Sequence, residues 1–151
     1  MTSVLVGVDL SDTTTKTLAA VSRLATATPG LMVRLVHVAA AQAELAGYDS
    51  EEFEANTPDK RAGALRDEHG QLTDLTAGLA DAGVATDEPV LVMGHTADEL
   101  LRLAGELEAG LLVVGSHGHG GLHHLLVGSV AEEVVRRAKV PVVLVPVRPS
   151  P

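Results

Sequence analysis

With 151 residues, 46% of them hydrophobic and 21% charged, the chain is long enough to bury a core, and we expect a single domain over residues 1–151. The formal net charge of −9 leaves no basic surface for nucleic acid, and having only Tyr48 and Phe53 as aromatic residues nearly excludes a base-stacking platform. The absence of cysteine excludes disulfides and thiolate chemistry.

The first apolar run, residues 4–8, is continuous, which is typical of a strand that is covered on both faces. Ser11 or Asp12 can cap a helix that begins near Thr13, and Pro29 with Gly30 ends it. The apolar residues of this helix fall on one face: Leu18, Val21, Leu24 and Ala25.

A second strand is predicted over residues 32–38. The stretch 39–56 is rich in alanine and acidic residues and has no sustained period, so we interpret it as a flexible loop and a plausible surface for a protein partner. Thr57 as N-cap and Pro58 at the first helical position then predict a second helix, which Gly83 stops.

The second half of the chain continues the alternation of strands and helices. A third strand over residues 85–93 contains Pro89, which indicates a sheet edge or a bulge. A helix that begins at Thr96 or Asp98 ends at Gly110. The fourth strand follows over residues 111–115, and the fifth covers residues 141–147. Such alternation predicts a parallel sheet with right-handed crossovers.

A glycine-rich loop follows the fourth strand, with Gly115, Gly118, Gly120, Gly121 and Gly128. Ser129 then opens a stretch, residues 130–138, with the apolar spacing of a helix. A strand, a glycine-rich turn and a helix start suit a phosphate. Glycines let backbone N–H groups approach an anion, and a helix N-terminus adds unpaired N–H groups and the positive end of a dipole.

The spacing Gly115-x2-Gly118-x9-Gly128-Ser129 resembles the nucleotide-binding signature of the ATP-binding branch of the universal stress protein family. Residues 6–11, Val-Gly-Val-Asp-Leu-Ser, are similar to the family's usual opening, a strand that ends in Asp with Ser two residues later. The resemblance covers residues 4–147. It implies an α/β fold with a single open five-stranded parallel sheet of order 3-2-1-4-5 and helices on both faces, which is Rossmann-like.

The two motifs meet in this implied topology. The strand order reverses between strands one and four, and ligands of open α/β sheets bind beyond the carboxyl ends of the strands at such a switch point. Asp9 ends the first strand and Gly115 ends the fourth. We therefore expect an adenine nucleotide to bind between them.

The resemblance also implies contacts of individual residues with ATP. Asp9 would accept a hydrogen bond from the base amino group or a ribose hydroxyl, although it could simply cap the helix or bond the turn. Gly7 and the backbone of Val38 match family positions at the nucleotide, and Val38 is almost as well explained as core. The remaining contacts are implied for Gly115, Ser116, His117 and Gly118 at the ribose and first phosphates, and for Gly128, Ser129 and Val130 at the distal phosphates. For the glycines, the alternative to a contact with the nucleotide is a long turn that needs positive φ angles. For Ser129, the alternative is an ordinary N-cap.

The loop departs from the family by carrying four histidines, His117, His119, His123 and His124, where similar loops usually carry arginine, lysine or small residues. These imidazoles could bind Zn, Ni or Cu, could supply pH-dependent charge near the phosphates, or could be plain exposed loop residues. No nearby cysteine or close carboxylate completes a metal site, so we predict no metal-ligating residues.

We predict no catalytic residues either. The P-loop motif G-x-x-x-x-G-K-S/T is absent, and no lysine lies in the glycine-rich loop. Asp9 and the loop serines could help to coordinate Mg²⁺ through water, with slow ATP hydrolysis as a side effect. We expect an ATP-binding protein that acts as a regulatory homodimer in the stress response. The alternatives are a family member that dimerises without binding nucleotide, and an enzyme of the wider adenine-nucleotide-binding α/β group that hydrolyses ATP weakly or transfers an adenylyl group.

The fifth strand gives a separate expectation about partners. The hydrophobic run from Val142 to Val147 lies at a predicted sheet edge, and exposed edges are normally protected. In the family this strand pairs with its copy in a second subunit, which implies a two-fold dimer through Val143, Val145 and their neighbours. No apolar run reaches the roughly 20 residues of a membrane-spanning helix, and no signal peptide fits before Asp9, so we expect a cytoplasmic protein with no membrane partner.

Overall fold

The structure is a computed structural model that describes residues 1–39, 58–117 and 127–147. The predicted loop at 39–56, apart from Ala39, and the loop positions 118–126 lie outside the described residues. The elements in the described ranges are β1 (Thr2–Gly7), α1 (Thr13–Ala27), β2 (Leu31–Ala39), α2 (Pro58–Asp81), β3 (Val90–Met93), α3 (Thr96–Glu106), β4 (Leu111–Gly115), α4 (Ser129–Arg137) and β5 (Val142–Val145).

The strands form a parallel sheet in the order β3-β2-β1-β4-β5, and this confirms the predicted fold class. The central strand β1 pairs with β2 on one side and with β4 on the other. Consecutive strands therefore run outward in one direction from β1 to β3 and in the other direction from β4 to β5. The switch point lies between β1 and β4, as predicted.

The central strand is buried from both faces. Val4, Leu5 and Val6 have no exposed surface. Their side chains alternate between two apolar clusters, because successive side chains of a strand point to opposite faces. The first cluster contains Val4, Val6, Val21 of α1 and Leu72 of α2; the second contains Leu5, Leu100 of α3 and Val134 of α4. The helices thus cover both faces of the sheet.

The third strand is shorter than predicted. It begins at Val90, directly after Pro89, instead of at residue 85, since proline has no N–H group to donate to the ladder. The chain before the strand still bonds to β2: the Val33 N–H group donates to the Ala85 carbonyl oxygen at 2.9 Å, and the Val33 carbonyl oxygen accepts from the Asp87 N–H group at 2.8 Å. Arg34 Nη1 adds a hydrogen bond to the carbonyl oxygen of Glu88 at 2.9 Å. The edge position that Pro89 indicated is confirmed, because β3 is an outer strand of the described sheet.

Two further element ends differ from the predictions. α3 ends at Glu106 rather than at Gly110, and Glu108 has a φ of 50°, a left-handed conformation that cannot continue a helix. β5 ends at Val145 rather than at Val147, because the intervening proline has no N–H group for the ladder.

The bounds of the second helix match the prediction, and its predicted N-cap, Thr57, lies outside the described residues. α2 begins at Pro58 and ends at Asp81, and Gly83 follows with a φ of 90°, which glycine adopts without strain. Leu72 and Leu79 are buried on the face that packs against the sheet. Within the described ranges, no helix is long and apolar enough to cross a membrane.

The packing of α2 can be tested with two leucines of the same helix. Leu72 is fully buried, whereas Leu65 is half-buried and lies outside the apolar cluster. We expect Leu72→Ala to lower the free energy of unfolding by about 2–5 kcal/mol, because it leaves a cavity between the helix and the sheet. Leu65→Ala should cost clearly less. Urea denaturation measures both values, and equal losses would contradict the packing.

Candidate functional site

A cavity of about 640 Å³ opens at the carboxyl ends of β1, β2 and β4. Side chains of α2 and α3 and the first turns of α1 and α4 complete its walls. Every predicted site residue that the structure describes lines this cavity: Gly7, Asp9, Val38, Gly115, Ser116, His117, Gly128, Ser129 and Val130. The remaining predicted residue, Gly118, lies outside the described residues. The structure therefore brings the opening motif and the glycine-rich motif together at one place.

Asp9 has one carboxylate oxygen engaged in the protein and one without a partner. Its Oδ1 accepts hydrogen bonds from Ser11 N at 3.0 Å, Ser11 Oγ at 2.7 Å and Thr14 Oγ1 at 3.2 Å. These bonds hold the turn in which Leu10 adopts a φ of 62°, an uncommon value outside glycine. Oδ2 is shielded from water and has no hydrogen-bond partner among the described residues. The alternative that Asp9 simply bonds the turn therefore accounts for Oδ1, whereas Oδ2 stays available to accept a hydrogen bond from a ligand.

The start of α1 distinguishes between its two predicted caps. Asp12 occupies the N-cap position, but its side chain makes no capping hydrogen bond. Ser11 Oγ instead accepts a hydrogen bond from the N–H group of Thr13 at 3.3 Å. The side chains of Thr13 and Thr17 line the cavity, so the first turns of α1 form a polar part of its wall.

The two glycines at the ends of β1 and β4 are needed by their neighbours in the fold. A Cβ atom on Gly7 would lie 3.0 Å from Leu100 Cδ1. A Cβ atom on Gly115 would lie 3.0 Å from Val147 Cγ2 and 3.3 Å from Thr17 Oγ1. All three distances are tighter than ordinary van der Waals contacts, so close packing gives these glycines a structural role beside any contact with a ligand.

Ser116 joins the end of β4 to the segment that follows β5. Its Oγ accepts a hydrogen bond from the N–H group of Val147 at 3.0 Å and donates to the carbonyl oxygen of Val147 at 3.2 Å. His117 Nδ1 lies 3.1 Å from the same carbonyl oxygen and 3.2 Å from Ser116 Oγ. Ser116, His117 and Val147 are all buried.

The burial of His117 decides one of the alternatives for the histidine-rich loop. At 8% exposure, His117 is not an exposed loop residue, so that interpretation is wrong for this position. His119, His123 and His124 lie outside the described residues. Within the described part of the chain, no group of three or more His, Cys, Asp and Glu side chains is placed to hold a metal ion.

The N-terminus of α4 opens into the cavity without a side-chain cap. Gly128, not Ser129, is the N-cap residue, with φ −71° and ψ 162°, so the N-cap interpretation of Ser129 is wrong. The first helical hydrogen bond runs from Glu132 N to the Gly128 carbonyl oxygen at 3.0 Å. The N–H groups of Ser129, Val130 and Ala131 precede that bond and have no acceptor within the helix. Together with the helix dipole they attract an anion.

An ion pair joins α4 to α3. Arg137 Nη1 of α4 donates to Asp98 Oδ1 of α3 at 2.7 Å. This hydrogen bond holds the pKa of the Asp98 carboxyl below its usual range. The described lining of the cavity itself contains the carboxylates of Asp9 and Glu68 but no lysine or arginine. An anion in this cavity would be held by N–H groups rather than by cationic side chains.

The sequence reasoning missed six polar residues of the described cavity lining, Thr13, Thr17, His37, Glu68, Gln71 and Thr96, of which His37 and Glu68 lie close together. His37, 8% exposed, lies directly before Val38 in β2, and Glu68 lies on α2. His37 Nε2 is 3.6 Å from Glu68 Oε2. Strand alternation could have placed His37 at the carboxyl end of β2, on the face opposite to Val38. The sequence offers no local signal for Glu68, because its position depends on how α2 packs over the sheet.

Comparison with known proteins identifies relatives over most of the chain. The family model described as the universal stress protein family matches residues 1–146. Universal stress protein MJ0577 of Methanocaldococcus jannaschii is 27% identical over 95 residues, 63% of this chain and 56% of that protein. Universal stress protein Rv1636 of Mycobacterium tuberculosis is 40% identical over 74 residues, 49% of this chain and 51% of that protein. In these two matches, the chain spans about half the length of each curated relative.

Solved structures share the fold over nearly their whole length. Hypothetical protein MJ0577 superposes with a TM-score of 0.80 at 26% identity, covering 98% of this chain and 97% of the other. A universal stress protein in complex with cAMP gives a TM-score of 0.64 at 28% identity, covering 96% of both chains. A universal stress protein from Archaeoglobus fulgidus in complex with dAMP gives a TM-score of 0.61 at 20% identity, covering 96% of this chain and 98% of that one. At this low identity, the match supports the fold alone.

The hydrogen bonds of Ser116 lead to a prediction about stability. We expect Ser116→Ala to lower the free energy of unfolding by about 1–3 kcal/mol, because the buried N–H group of Val147 loses its acceptor. Thr73→Ala is the matched control, since the Thr73 hydroxyl donates to a carbonyl oxygen on the exposed face of α2. Its effect should stay within about 0.5 kcal/mol. Thermal and urea unfolding measure both, and a Ser116→Ala protein as stable as the wild type would contradict the prediction.

Proposed function

The chain belongs to the universal stress protein family, and we propose that it is an ATP-binding member that acts as a regulatory homodimer in the stress response. A single nucleotide-binding domain over residues 1–151 and a cytoplasmic location are part of the proposal. The observation that carries it is the uncapped N-terminus of α4, which opens into a cavity at the switch point of the sheet.

The phosphates would bind at the start of α4. The backbone N–H groups of Ser129, Val130 and Ala131 have no helical acceptor, and all three residues line the cavity. Phosphate oxygens are acceptors, so they fit these donors and the positive end of the helix dipole. Gly115 and Ser116 lie beside this position at the end of β4 and would border the ribose and the first phosphate.

The nucleoside would extend from there across the ends of β1 and β2. Asp9 Oδ2 is an acceptor that lacks a donor among the described residues, and a ribose hydroxyl or a base amino group supplies one. Gly7 and Val38 border the same part of the cavity. The cAMP complex of a 28% identical neighbour supports an adenine nucleotide as the ligand class.

Mg²⁺ would accompany ATP for an electrostatic reason. The described lining of the cavity contains the carboxylates of Asp9 and Glu68 and no lysine or arginine. A triphosphate would therefore enter an acidic cavity, and a divalent cation bound to it would offset the repulsion. The Asp9 carboxylate, which lines the same cavity, would attract the hydrated ion by its charge. Bound Mg²⁺ would supply charge neutralisation.

Binding rather than efficient hydrolysis is the proposed activity. Asp9 Oδ1 is occupied by three hydrogen bonds from Ser11 and Thr14, which favours a positioning role for this carboxylate over proton transfer. His117 directs Nδ1 at the carbonyl oxygen of Val147 and is buried. The intact, uncapped α4 N-terminus speaks against a dimer that has lost nucleotide binding.

The homodimer is proposed to form along β5. This strand is an outer strand of the described sheet, and its backbone edge suits pairing with a second chain. Val145 is buried and Val143 packs against the same apolar cluster, so both side chains contribute to the chain's own core. The proposed contact therefore depends on the backbone edge of the strand as well as on its side chains.

The phosphate position can be tested at a single residue. Ser129→Pro removes the N–H group and the hydroxyl, while Ser129→Ala removes the hydroxyl alone. Proline is tolerated at the first helical position, and Gly128 already has the extended ψ of 162° that a residue before proline prefers. We expect Ser129→Pro to bind Mg-ATP about 10-fold more weakly than Ser129→Ala, because a hydrogen bond to a charged phosphate is lost.

Isothermal titration calorimetry measures these affinities, and melting temperatures of the ligand-free variants report whether each is folded. Equal affinities of the two variants would show that the N–H group of residue 129 does not contact the phosphates.

The proposed function is tested on the wild type, which is heat-denatured so that the released small molecules can be analysed by mass spectrometry. If nothing is released and added Mg-ATP neither binds nor raises the melting temperature, the proposed function is wrong.

The proposed homodimer has its own test. Light scattering at micromolar concentration should give the mass of two chains, because the edge of β5 would be covered by its copy. The same measurement with and without Mg-ATP shows whether dimerisation needs the ligand. A monomeric mass under both conditions would contradict the dimer and would leave nucleotide binding as a separate question.

A further inference from the structure

We infer that Ser116 is a positioning residue that couples the start of α4, where the phosphates are proposed to bind, to residues 146–147, the segment directly after β5. A phosphate bound at α4 thereby holds this segment more firmly against the sheet. The inference rests on the proposed nucleotide-binding function and specifies how occupancy of the cavity affects the end of an outer strand. It is carried by the hydrogen bonds of Ser116, which depart from those of a regular parallel ladder.

The ladder between β4 and β5 is regular as far as the N–H group of Ser116. Leu112 N–H donates to the Pro141 carbonyl oxygen at 3.0 Å, and Ser116 N–H donates to the Val145 carbonyl oxygen at 2.8 Å. In a parallel ladder, a residue that donates to one residue of the neighbouring strand accepts from the residue two positions further along. The next bond would therefore run from the Val147 N–H group to the Ser116 carbonyl oxygen.

The Ser116 hydroxyl replaces this expected acceptor. Val147 N–H donates to Ser116 Oγ at 3.0 Å, and Ser116 Oγ donates to the Val147 carbonyl oxygen at 3.2 Å. The Ser116 carbonyl oxygen instead accepts a hydrogen bond from the N–H group of Gly128, which is the N-cap residue of α4. Ser116 therefore binds the segment after β5 with its side chain and the start of α4 with its backbone.

The groups that make these hydrogen bonds are buried. Ser116 is 8% exposed, Val147 has no exposed surface, and Gly128 is buried as well. A Cβ atom on Gly115 would lie 3.0 Å from Val147 Cγ2, so Val147 also packs against the end of β4 that lines the cavity. Buried polar groups need partners, so breaking one of these bonds is costly. A shift of Gly128 is therefore felt at Val147.

The effect of a ligand follows from this arrangement. A phosphate bound to the N–H groups of Ser129 and Val130 restrains the first turn of α4, and with it Gly128. This favours the conformation in which Gly128 donates to the Ser116 carbonyl oxygen and the hydroxyl holds Val147. Local opening, in which the Val147 N–H group leaves Ser116 Oγ, becomes rarer by the factor by which the ligand prefers the closed form.

Hydrogen exchange followed by NMR measures this opening at the Val147 N–H group, with and without saturating Mg-ATP. The Asp87 N–H group is the internal reference, because it donates to the Val33 carbonyl oxygen at the amino end of the sheet, opposite the cavity. We expect Mg-ATP to slow exchange at Val147 at least about 5-fold more than at Asp87. Stabilisation of the whole fold by the ligand would slow both groups alike.

Three variants make the result specific. Ser116→Ala removes the hydroxyl, so the Val147 N–H group is left to the carbonyl oxygen that Gly128 uses, and the extra slowing at Val147 should be lost or reversed. Ser116→Thr keeps the hydroxyl and should retain the extra slowing. Thr96→Ala is the matched control, since it removes a hydroxyl from the lining of the same cavity on α3, and it should also retain the slowing. Calorimetry gives the saturating Mg-ATP concentration for each variant, and melting temperatures show that each is folded.

Each outcome decides the inference. Equal slowing at Val147 and Asp87 in the wild type, with Mg-ATP bound, would overturn it and leave nucleotide binding intact. Extra slowing that survives in Ser116→Ala would also overturn it, because the coupling would then take another route. So would its loss in Thr96→Ala, since any change in the cavity would then produce the effect. If the wild type binds no nucleotide, the proposed function fails and the inference fails with it. Loss in Ser116→Ala alone supports the coupling.

Discussion

The site depends on the burial of β1 from both faces. Val4, Leu5 and Val6 have no exposed surface, and a strand of this kind needs helices above and below it. Two of the described helices cover each face, and the strands that pair with β1 lie on opposite sides of it. The strands that follow β1 are added on one side of it up to β3, and β4 and β5 are added on the other side, so the crevice at this switch point lies at the carboxyl end of β1. Asp9 stands at that point because it is the second residue after the strand.

The cavity has donors at one end and acceptors at the other. Backbone N–H groups collect at the start of α4, where Gly128 provides no side chain to cap them. Acceptors without partners among the described residues lie toward β1 and β2, at Asp9 Oδ2 and Glu68 Oε2. A nucleotide has the complementary order, with phosphate oxygens at one end and hydroxyl and amino donors toward the other. This complementarity relates the proposed ligand to the whole cavity rather than to a single motif.

The sequence was sufficient for the parts of the fold that follow from periodicity. Continuous apolar runs alternating with amphipathic stretches predicted the parallel sheet, and the glycine spacing placed its described members around one cavity. Serine is a common cap, so an N-cap was the alternative to a phosphate contact for Ser129, but the extended backbone of Gly128 decides the boundary of α4. His37 and Glu68 were missed for a different reason. Their proximity is a tertiary contact between β2 and α2, and no pattern within either element encodes it.

The acidic composition and a phosphate ligand are compatible because the donors of the site are neutral. A net charge of −9 repels an extended polyanion along the whole surface. The attraction of an uncapped helix, by contrast, falls off within its first turn, so it acts on a group that enters the cavity at Ser129 and Val130. An isolated phosphate on a small nucleoside can reach that position. A nucleic acid backbone would have to bring its neighbouring phosphates past Asp9 and Glu68, which no lysine or arginine of the described lining offsets.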